Sequence, residues 1–180
     1  PPPVERRAIF EVEQEAPPVV LSGLTLNHSR HGPALRVTGA QLSIENCNIS
    51  NNPISALLVL GGSVLVQSTR FEWNGMLDER VAGGAIQMRG GELVVRDSVL
   101  AGNRAHLGGG ALVDSATYCR FHGTRIENNR AKSMGGAIFA RNATVVLTDE
   151  TLLDRNHAEA GNSIFLNQSA SPPSELAKVA

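Results

Sequence analysis

This chain of 180 residues contains few aromatic residues and few cysteines, and its net charge is small. Aromatics make up 4% of the sequence, which is low for a carbohydrate-binding groove lined with rings. The formal net charge of −1 argues against general electrostatic binding to nucleic acid or to an anionic membrane. No apolar run reaches the length of a membrane-spanning helix. The composition is uniform along the chain, so we expect one domain.

The chain has two cysteines, Cys47 and Cys119. The repeat register described below places them on different sides of a coil and about three coils apart, or roughly 14 Å. A disulfide needs Cα atoms within about 7 Å of each other, so we expect two free thiols. Cys119 shares a column with aliphatic residues, which favours a small core residue over a nucleophile.

A glycine motif recurs in the second half of the chain. Gly83-Gly84-Ala85-Ile86, Gly109-Gly110-Ala111-Leu112 and Gly135-Gly136-Ala137-Ile138 begin 26 residues apart, and Gly161-Asn162-Ser163-Ile164 lies one period further on. Between the motifs, short alternating apolar runs are broken by Gly, Asp, Ser and Asn, which is typical of strands and turns. A repeat of this length indicates one supersecondary unit stacked on copies of itself.

Apolar residues recur in register from unit to unit, and equivalent residues of a solenoid stack about 4.8 Å apart. The predicted columns are Ile86, Leu112, Ile138 and Ile164; Leu93, Cys119 and Val145; Val95, Phe121 and Leu147; and Leu100, Ile126 and Leu152. We therefore predict an all-β fold, a right-handed single-stranded parallel β-helix of about six coils of roughly 22–29 residues, with three short strands per coil. The helix is expected over 19–170, between a lead-in segment 1–18 with a first strand and a C-terminal tail 171–180.

Asparagine and glycine are expected to build the turns. An asparagine follows the third strand of successive units three residues after an apolar residue, and such amides bond to turn backbone and to each other. The predicted structural ladder contains Asn52, Asn74, Asn103 and Asn129, and the spacing slips to four residues between Leu152 and Asn156. The turn glycines, which permit a positive φ, are Gly83, Gly84, Gly109, Gly110, Gly135 and Gly136. We interpret the longer loop 75–82 as a surface insertion, although such loops often bind ligands.

The repeat resembles that of a known family. Phe71-Glu72-Trp73-Asn74 followed by Gly83-Gly84-Ala85-Ile86 is similar to the FxxN and GGA(I/L/V) pair of the polymorphic outer-membrane proteins. Two further copies of the pair are present: Ile126-Glu127-Asn128-Asn129 with 135–138, and Leu100-Ala101-Gly102-Asn103 with 109–112. The resemblance covers roughly residues 19–166. The resemblance implies a β-helix of the pectin-lyase-like superfamily in a surface-exposed adhesin. It does not carry over a membrane anchor, because no autotransporter barrel is present in this sequence.

A polysaccharide lyase or glycoside hydrolase is the alternative function. Hydrolysis needs carboxylates facing one groove about 5–9.5 Å apart, and a lyase needs clustered acids for Ca²⁺. Asp97 and Asp149 share a column about 10 Å apart with Gly123 between them, and Asp114 falls in the inward register of Met88. These three acids are weak catalytic candidates, and no catalytic residue is assigned. The five histidines do not converge, so no metal site and no cofactor is expected.

One outward-facing column provides a candidate contact surface. On the first sheet it becomes apolar at Val113, Phe139 and Phe165, and exposed apolar stripes mark contacts with partners. This face is the basis of a third interpretation, an interaction subunit that docks in a larger assembly. Four Asn-x-Ser/Thr sequons favour a secreted context mildly, and their acceptors are Asn27, Asn48, Asn142 and Asn167.

The regular repeat without convergent chemistry predicts a non-catalytic β-helical domain, used for adhesion or as a structural spacer. We expect an extracellular or cell-surface location, with protein or cell-surface carbohydrate as the partner and no binding of nucleic acid. Open solenoid ends need caps, so we also expect the domain to belong to a longer chain or an assembly.

Overall fold

The computed structural model of the chain describes residues 8–116 and 118–167. These residues wind through six coils, and corresponding strands of successive coils pair in parallel to form three long sheets. No helix occurs in the described part of the chain. The predicted fold, an all-β right-handed parallel β-helix of about six coils, is confirmed. The predicted tail 171–180 lies outside the described residues.

The sheets are named A to D here, with strands numbered in chain order. Sheet A contains β1 (Phe10–Glu13), β4 (Leu35–Thr38), β7 (Leu57–Leu60), β10 (Ile86–Arg89), β14 (Ala111–Asp114), β18 (Ile138–Arg141) and β21 (Ile164–Asn167). Sheet B contains β2 (Val19–Ser22), β5 (Gln41–Glu45), β8 (Ser63–Gln67), β11 (Glu92–Arg96), β15 (Tyr118–His122) and β19 (Val145–Thr148). Sheet C contains β3 (Thr25–Asn27), β6 (Asn48–Ser50), β9 (Arg70–Glu72), β12 (Val99–Ala101), β16 (Arg125–Glu127) and β20 (Leu152–Asp154). Sheet D contains β13 (Arg104–Leu107) and β17 (Arg130–Met134).

The interior of the solenoid is built from columns of apolar side chains. Leu93, Cys119 and Val145 are register partners in sheet B, as predicted, and so are Val95, Phe121 and Leu147. Cys119 is fully buried among aliphatic residues, and this burial raises the pKa of its thiol far above the ordinary value. Since successive side chains of a strand point to opposite faces, each strand contributes only its alternate residues to this core.

The predicted register of β14 is wrong by one residue. Ile86 pairs with Ala111, not with Leu112, and Ala111 pairs with Ile138. The chain carries three glycines at 108–110, and Gly108 takes the place of Gly83, with a φ of 64° against 68°. A one-residue slip moves every side chain of a strand to the other face. Leu112 and Asp114 therefore face outward, and Val113 is fully buried in the core.

The fourth predicted column contains a second one-residue error. Ile126 pairs with Leu153, and Leu152 is 46% exposed on the outer face of sheet C. With Leu153 as the inward residue, Asn156 follows it by three positions, as in the other coils. The predicted slip in the last coil is therefore absent, and the column reads Leu100, Ile126 and Leu153.

Five asparagines form one continuous hydrogen-bonded ladder where sheet C ends. The side-chain Nδ2 of each of the first four donates to Oδ1 of the asparagine in the next coil at 2.9–3.0 Å. Nδ2 of all five donates to a backbone carbonyl of the preceding coil at 2.8–3.2 Å. Oδ1 of the last four also accepts the backbone N–H of the preceding asparagine in the ladder, and Oδ1 of Asn52 accepts the N–H of Ser29. The members are Asn52, Asn74, Asn103, Asn129 and Asn156. Their amides thus satisfy buried turn groups that would otherwise lack partners.

A fourth strand enters the later coils and was not predicted. Between sheets C and A, β13 and β17 pair in parallel as sheet D, and bridges extend the pairing to the loop 75–82 and to 157–160. The segment then turns sharply into sheet A. A Cβ on Gly83 would lie 2.0 Å from the carbonyl oxygen of Ile86, and one on Gly84 would lie 2.4 Å from that of Gly109. The first glycine supplies the positive φ, and the second permits close approach of the next coil.

We predict that Asn103→Ala lowers the free energy of unfolding by about 3 kcal/mol, because it leaves the carbonyl of Phe71 and the N–H of Asn74 buried without partners. Urea unfolding followed by circular dichroism measures the change. Asn27→Ala is the matched control, since Asn27 is exposed on β3, and should change stability by at most about 0.5 kcal/mol. Equal losses in the two variants would contradict a structural role for the ladder.

Candidate functional site

The loop 75–82 borders a cleft of about 320 Å³ on the side of the solenoid where sheet C passes into sheet A. The lining comes from the corresponding connections of three successive coils. Its residues are Arg30, His31, Pro53, Ile54, Met76, Asp78, Arg80 and Val81. Apolar side chains are thus combined with two guanidinium groups, one imidazole and one carboxylate. Such a mixture suits the binding of a small or extended ligand.

Hydrogen bonds hold the loop 75–82 at both ends and in its middle. The N–H of Gly75 donates to the carbonyl of Asn52 at 2.8 Å, and that of Gly83 donates to the carbonyl of Leu107 at 2.8 Å. Within the loop, Val81 donates its N–H to the carbonyl of Asp78 at 2.9 Å and is itself buried. The insertion is therefore a fixed wall of the cleft.

Asp78 is tied to Arg80 by three hydrogen bonds. Oδ1 accepts the backbone N–H and Nε of Arg80 at 2.9 and 3.0 Å, and Oδ2 accepts Nη2 at 2.8 Å. These bonds hold the pKa of Asp78 well below its ordinary value of 3.8. The only carboxylate of the cleft thus stays ionised at neutral pH, which makes it a poor general acid or base.

A second exposed site lies at the end of sheet C, where Trp73 directly follows β9. Trp73 is the only tryptophan in the chain, is 60% exposed and has a φ of 57°. A residue in this region costs roughly 1–2 kcal/mol unless it is glycine or an asparagine that bonds locally. Sequence reasoning missed Trp73. The available signal was its position directly before a ladder asparagine, where the neighbouring coils carry Asn51, Gly102 and Asn128.

The three candidate acids do not converge on one site, because Asp114 lies on sheet A whereas Asp97 and Asp149 follow sheet B. Asp114 faces outward, so its predicted inward position is wrong, and Arg141 donates Nε to its Oδ1 at 3.1 Å. This bonding to Arg141 holds the pKa of Asp114 below its ordinary value. Asp97 and Asp149 both occupy exposed turns after sheet B with positive φ. Asp149 pairs with Nδ1 of His122 at 2.8 Å.

The histidines remain dispersed in the structure. Within residues 8–116 and 118–167, no group of three or more His, Cys, Asp or Glu side chains has a geometry that could hold a metal ion. His31 lies at the cleft, and His122 is at the end of β15. His157 forms a parallel backbone β-bridge with Arg130.

The predicted contact face on sheet A is corrected by the structure. Val113 is buried inside the solenoid, and Leu112 takes its place in the outward column beside Phe139. Phe139 is only 4% exposed, and its ring stacks on that of Phe165 at a centroid distance of 5.8 Å. Leu112 and Phe139 are both buried yet lie outside the central core. They form part of a small outer cluster instead of an exposed stripe.

The sequon asparagines differ in accessibility. Asn27 and Asn167 are exposed, whereas Asn48 and Asn142 are partly buried. The hydroxyl residue of the second sequon, Ser50, is buried, and Oδ1 of Asn48 is buried without a partner. Gln168 and Ser169 of the last sequon lie outside the described residues.

Comparison with known protein families gives one assignment. Residues 22–176 match the model of the family described as right-handed beta helix region. Because the match covers most of the chain, the protein belongs to this right-handed β-helix family. A comparison with curated proteins finds no significant match. In the described residues, no helix is long and apolar enough to cross a membrane.

We predict that Arg80→Ala raises the pKa of Asp78 toward 3.8, because the largest cause of the lowered value is the side-chain hydrogen bond with Arg80. In the native protein the bonded arrangement should persist as pH falls and break only when Asp78 becomes protonated, well below pH 3.8. An NMR titration of the Asp78 carboxyl carbon measures both midpoints. Lys132→Ala removes the smallest contribution and serves as the control. Equal midpoints in the native protein and Arg80→Ala would contradict the assignment.

Proposed function

We propose that this domain is a non-catalytic β-helix of a secreted or surface protein that acts in adhesion, with the solenoid as its scaffold. The observation that carries the proposal is the cleft beside the loop 75–82, whose walls are fixed by backbone hydrogen bonds. A preformed cleft binds a partner without an ordering cost. Among the described lining residues the one carboxylate, Asp78, is bonded to Arg80, which makes it a poor general acid or base.

The surface location rests on the repeat pattern. The pairs formed by FxxN-like segments and GGA(I/L/V) motifs resemble those of the polymorphic outer-membrane proteins, which are surface adhesins. The exposed sequon acceptors Asn27 and Asn167 are compatible with a secreted domain. Both features support an extracellular partner, such as a protein or a cell-surface carbohydrate.

The enzyme alternative has one favourable feature, the proximity of Asp97, His122 and Asp149 around the turns after sheet B. A Cβ placed on Gly123 would lie 2.7 Å from Oδ1 of Asp97 and 3.8 Å from the carbonyl oxygen of Asp149. The carboxylate of Asp149 is 65% exposed and already paired with His122. Aspartate commonly occupies such positive-φ turn positions, so these side chains have a structural explanation.

The interaction-subunit alternative loses its basis on sheet A. Phe139 is buried, and Val113 belongs to the core. Val113 points into the solenoid and Phe139 is covered within the outer cluster, so neither side chain presents an exposed apolar surface to a partner.

Adhesion is tested with beads that carry the full chain on films of dextran, alginate, chitosan and gelatin. We expect retention on at least one film and a loss of about tenfold or more in the double variant Arg30→Ala/Met76→Ala, because both side chains line the cleft. Arg89→Ala/Leu166→Ala is the matched control, since both residues are exposed on sheet A. Equal retention of the two double variants would contradict a role for the cleft, and no retention on any film would contradict adhesion.

Catalysis is tested with the same polysaccharides in solution. We expect no release of reducing ends, the product of glycoside hydrolysis, and no unsaturated sugars, the product of a lyase. Turnover that disappears in Asp97→Asn/Asp149→Asn would contradict the non-catalytic assignment and support the enzyme alternative.

A further inference from the structure

Trp73 occupies a place where a smaller residue would serve the fold better. Its backbone N–H donates to the carbonyl of Ala101 at 3.1 Å, the same turn-to-turn bond that Asn51 and Gly102 make to their next coils. Asparagine and glycine adopt the positive φ of this position readily, and His28 and Arg155 hold the same turn position with φ of 55° and 48°, so the turn itself does not require an aromatic ring. An indole that is 60% exposed also contributes little burial. Residues with unusual backbone conformations are often found at functional sites, and a large, mostly exposed ring at such a position suggests a role in binding.

The indole lies on the backbone of the next coil. A Cβ added at Gly102 would be 2.7 Å from Cε3 and 2.8 Å from Cζ3 of Trp73, so the six-membered ring covers this glycine at van der Waals distance. Gly102 is itself buried. One face of the ring is thus seated on protein, and the exposed fraction belongs to the opposite face and the edge. The ring is held as a flat platform.

Two ion pairs flank the strand beneath the platform. On β9, Arg70 pairs with Glu72 at 2.7 Å, and on β16, Arg125 pairs with Glu127 at 2.8 Å. Between them, β12 presents only the short side chains of Val99 and Ala101, which are the register partners of both pairs. The two pairs are separated by two coil spacings, or roughly 10 Å. The outer face of sheet C therefore forms a shallow trough with polar walls, and Trp73 lies at its end.

Building on the proposed adhesive function, we propose that Trp73 is a binding platform for a neutral pyranose ring of a polysaccharide. The C–H groups on one face of a pyranose match the free face of an indole, and the equatorial hydroxyls match the donors and acceptors of the Arg–Glu walls. Each wall is a neutral pair, so the trough complements an uncharged sugar better than a uronate. The site is distinct from the cleft beside the loop 75–82, because no residue of the trough lines that cleft.

The chemistry of the site favours a sugar over other occupants. A nucleobase also stacks on aromatic rings, but nucleic acid requires a cationic surface, and the trough carries two arginines balanced by two glutamates. A protein partner would need a larger apolar area than one ring and two short side chains provide. A single ring with flanking hydrogen-bond groups suits a repeated, weakly bound saccharide unit.

The only tryptophan of the chain reports directly on its own site. The full chain is titrated with cellohexaose, maltohexaose and chitohexaose, and tryptophan emission and acrylamide quenching are recorded. We expect a blue shift of the emission and at least a twofold fall in the quenching constant with one of these neutral probes. A matched titration with an alginate hexasaccharide should produce a smaller change. Unchanged emission and quenching with every neutral probe would overturn the proposal.

Three substitutions separate binding from folding, with calorimetry as the readout. Trp73→Asn places the residue type of Asn51 and Asn128 at the strained position, so it should raise Tm and weaken saccharide binding at least tenfold. Trp73→Phe keeps a ring and should retain most of the affinity. Gly102→Ala should also weaken binding tenfold, because its methyl group displaces the indole. Saccharide binding by Trp73→Asn equal to that of the native chain would overturn the proposal.

Bead retention distinguishes this proposal from the adhesive function on which it rests. If Trp73→Asn beads adhere like native beads and soluble oligosaccharide does not compete, the platform is wrong and adhesion stands. If native beads adhere to no film, adhesion itself fails, whatever the fluorescence shows.

Discussion

The hydrogen bonding of the asparagine ladder is the constraint on which the rest of the structure depends. An asparagine of the tight connection after sheet C is buried in every coil from Asn52 to Asn156, and buried turn backbone leaves peptide groups without strand partners. The side-chain amides of Asn52, Asn74, Asn103 and Asn129 meet this need in both directions; Asn103, for example, bonds Asn129 ahead and Phe71 behind. The ladder thereby fixes the coil spacing on one side of the solenoid. Sheets A, B and C can then stack their apolar columns in register over six coils.

A strictly repeated scaffold limits where function can arise. A residue that only continues a column has the same surroundings in every coil, so recognition must come from positions that depart from the repeat. The loop 75–82 is one departure, because it adds residues between sheets C and A and creates the cleft. Trp73 is another, since it places a large, exposed aromatic ring at a turn position that Asn51, Gly102 and Asn128 hold in the neighbouring coils. The stability of the surrounding ladder allows this strained residue to persist.

The sequence was sufficient to predict the solenoid, because apolar columns and turn asparagines recur at constant spacing. It was insufficient at β14 and β20, where the pattern itself is ambiguous. Three glycines at 108–110 allow two alignments of the motif, and Leu152 and Leu153 are equally suited to the core. Each one-residue choice reversed the faces of a strand, which moved Val113 into the core and Asp114 to the surface. Sheet D and the seat of Trp73 on Gly102 depend on contacts between coils, which residue spacing does not encode.

Amide hydrogen exchange, recorded for the free chain and for the chain bound to a polysaccharide film that retains it, tests the account most directly. The account predicts that the ladder amides of Asn74, Asn103 and Asn129 are strongly protected in both states. Protection gained on binding should be confined to the loop 75–82 and to residues around Trp73. Two results would contradict a rigid scaffold that binds through the loop 75–82 and Trp73. One is rapid exchange of the ladder amides in the free chain. The other is new protection centred on the outer face of sheet B.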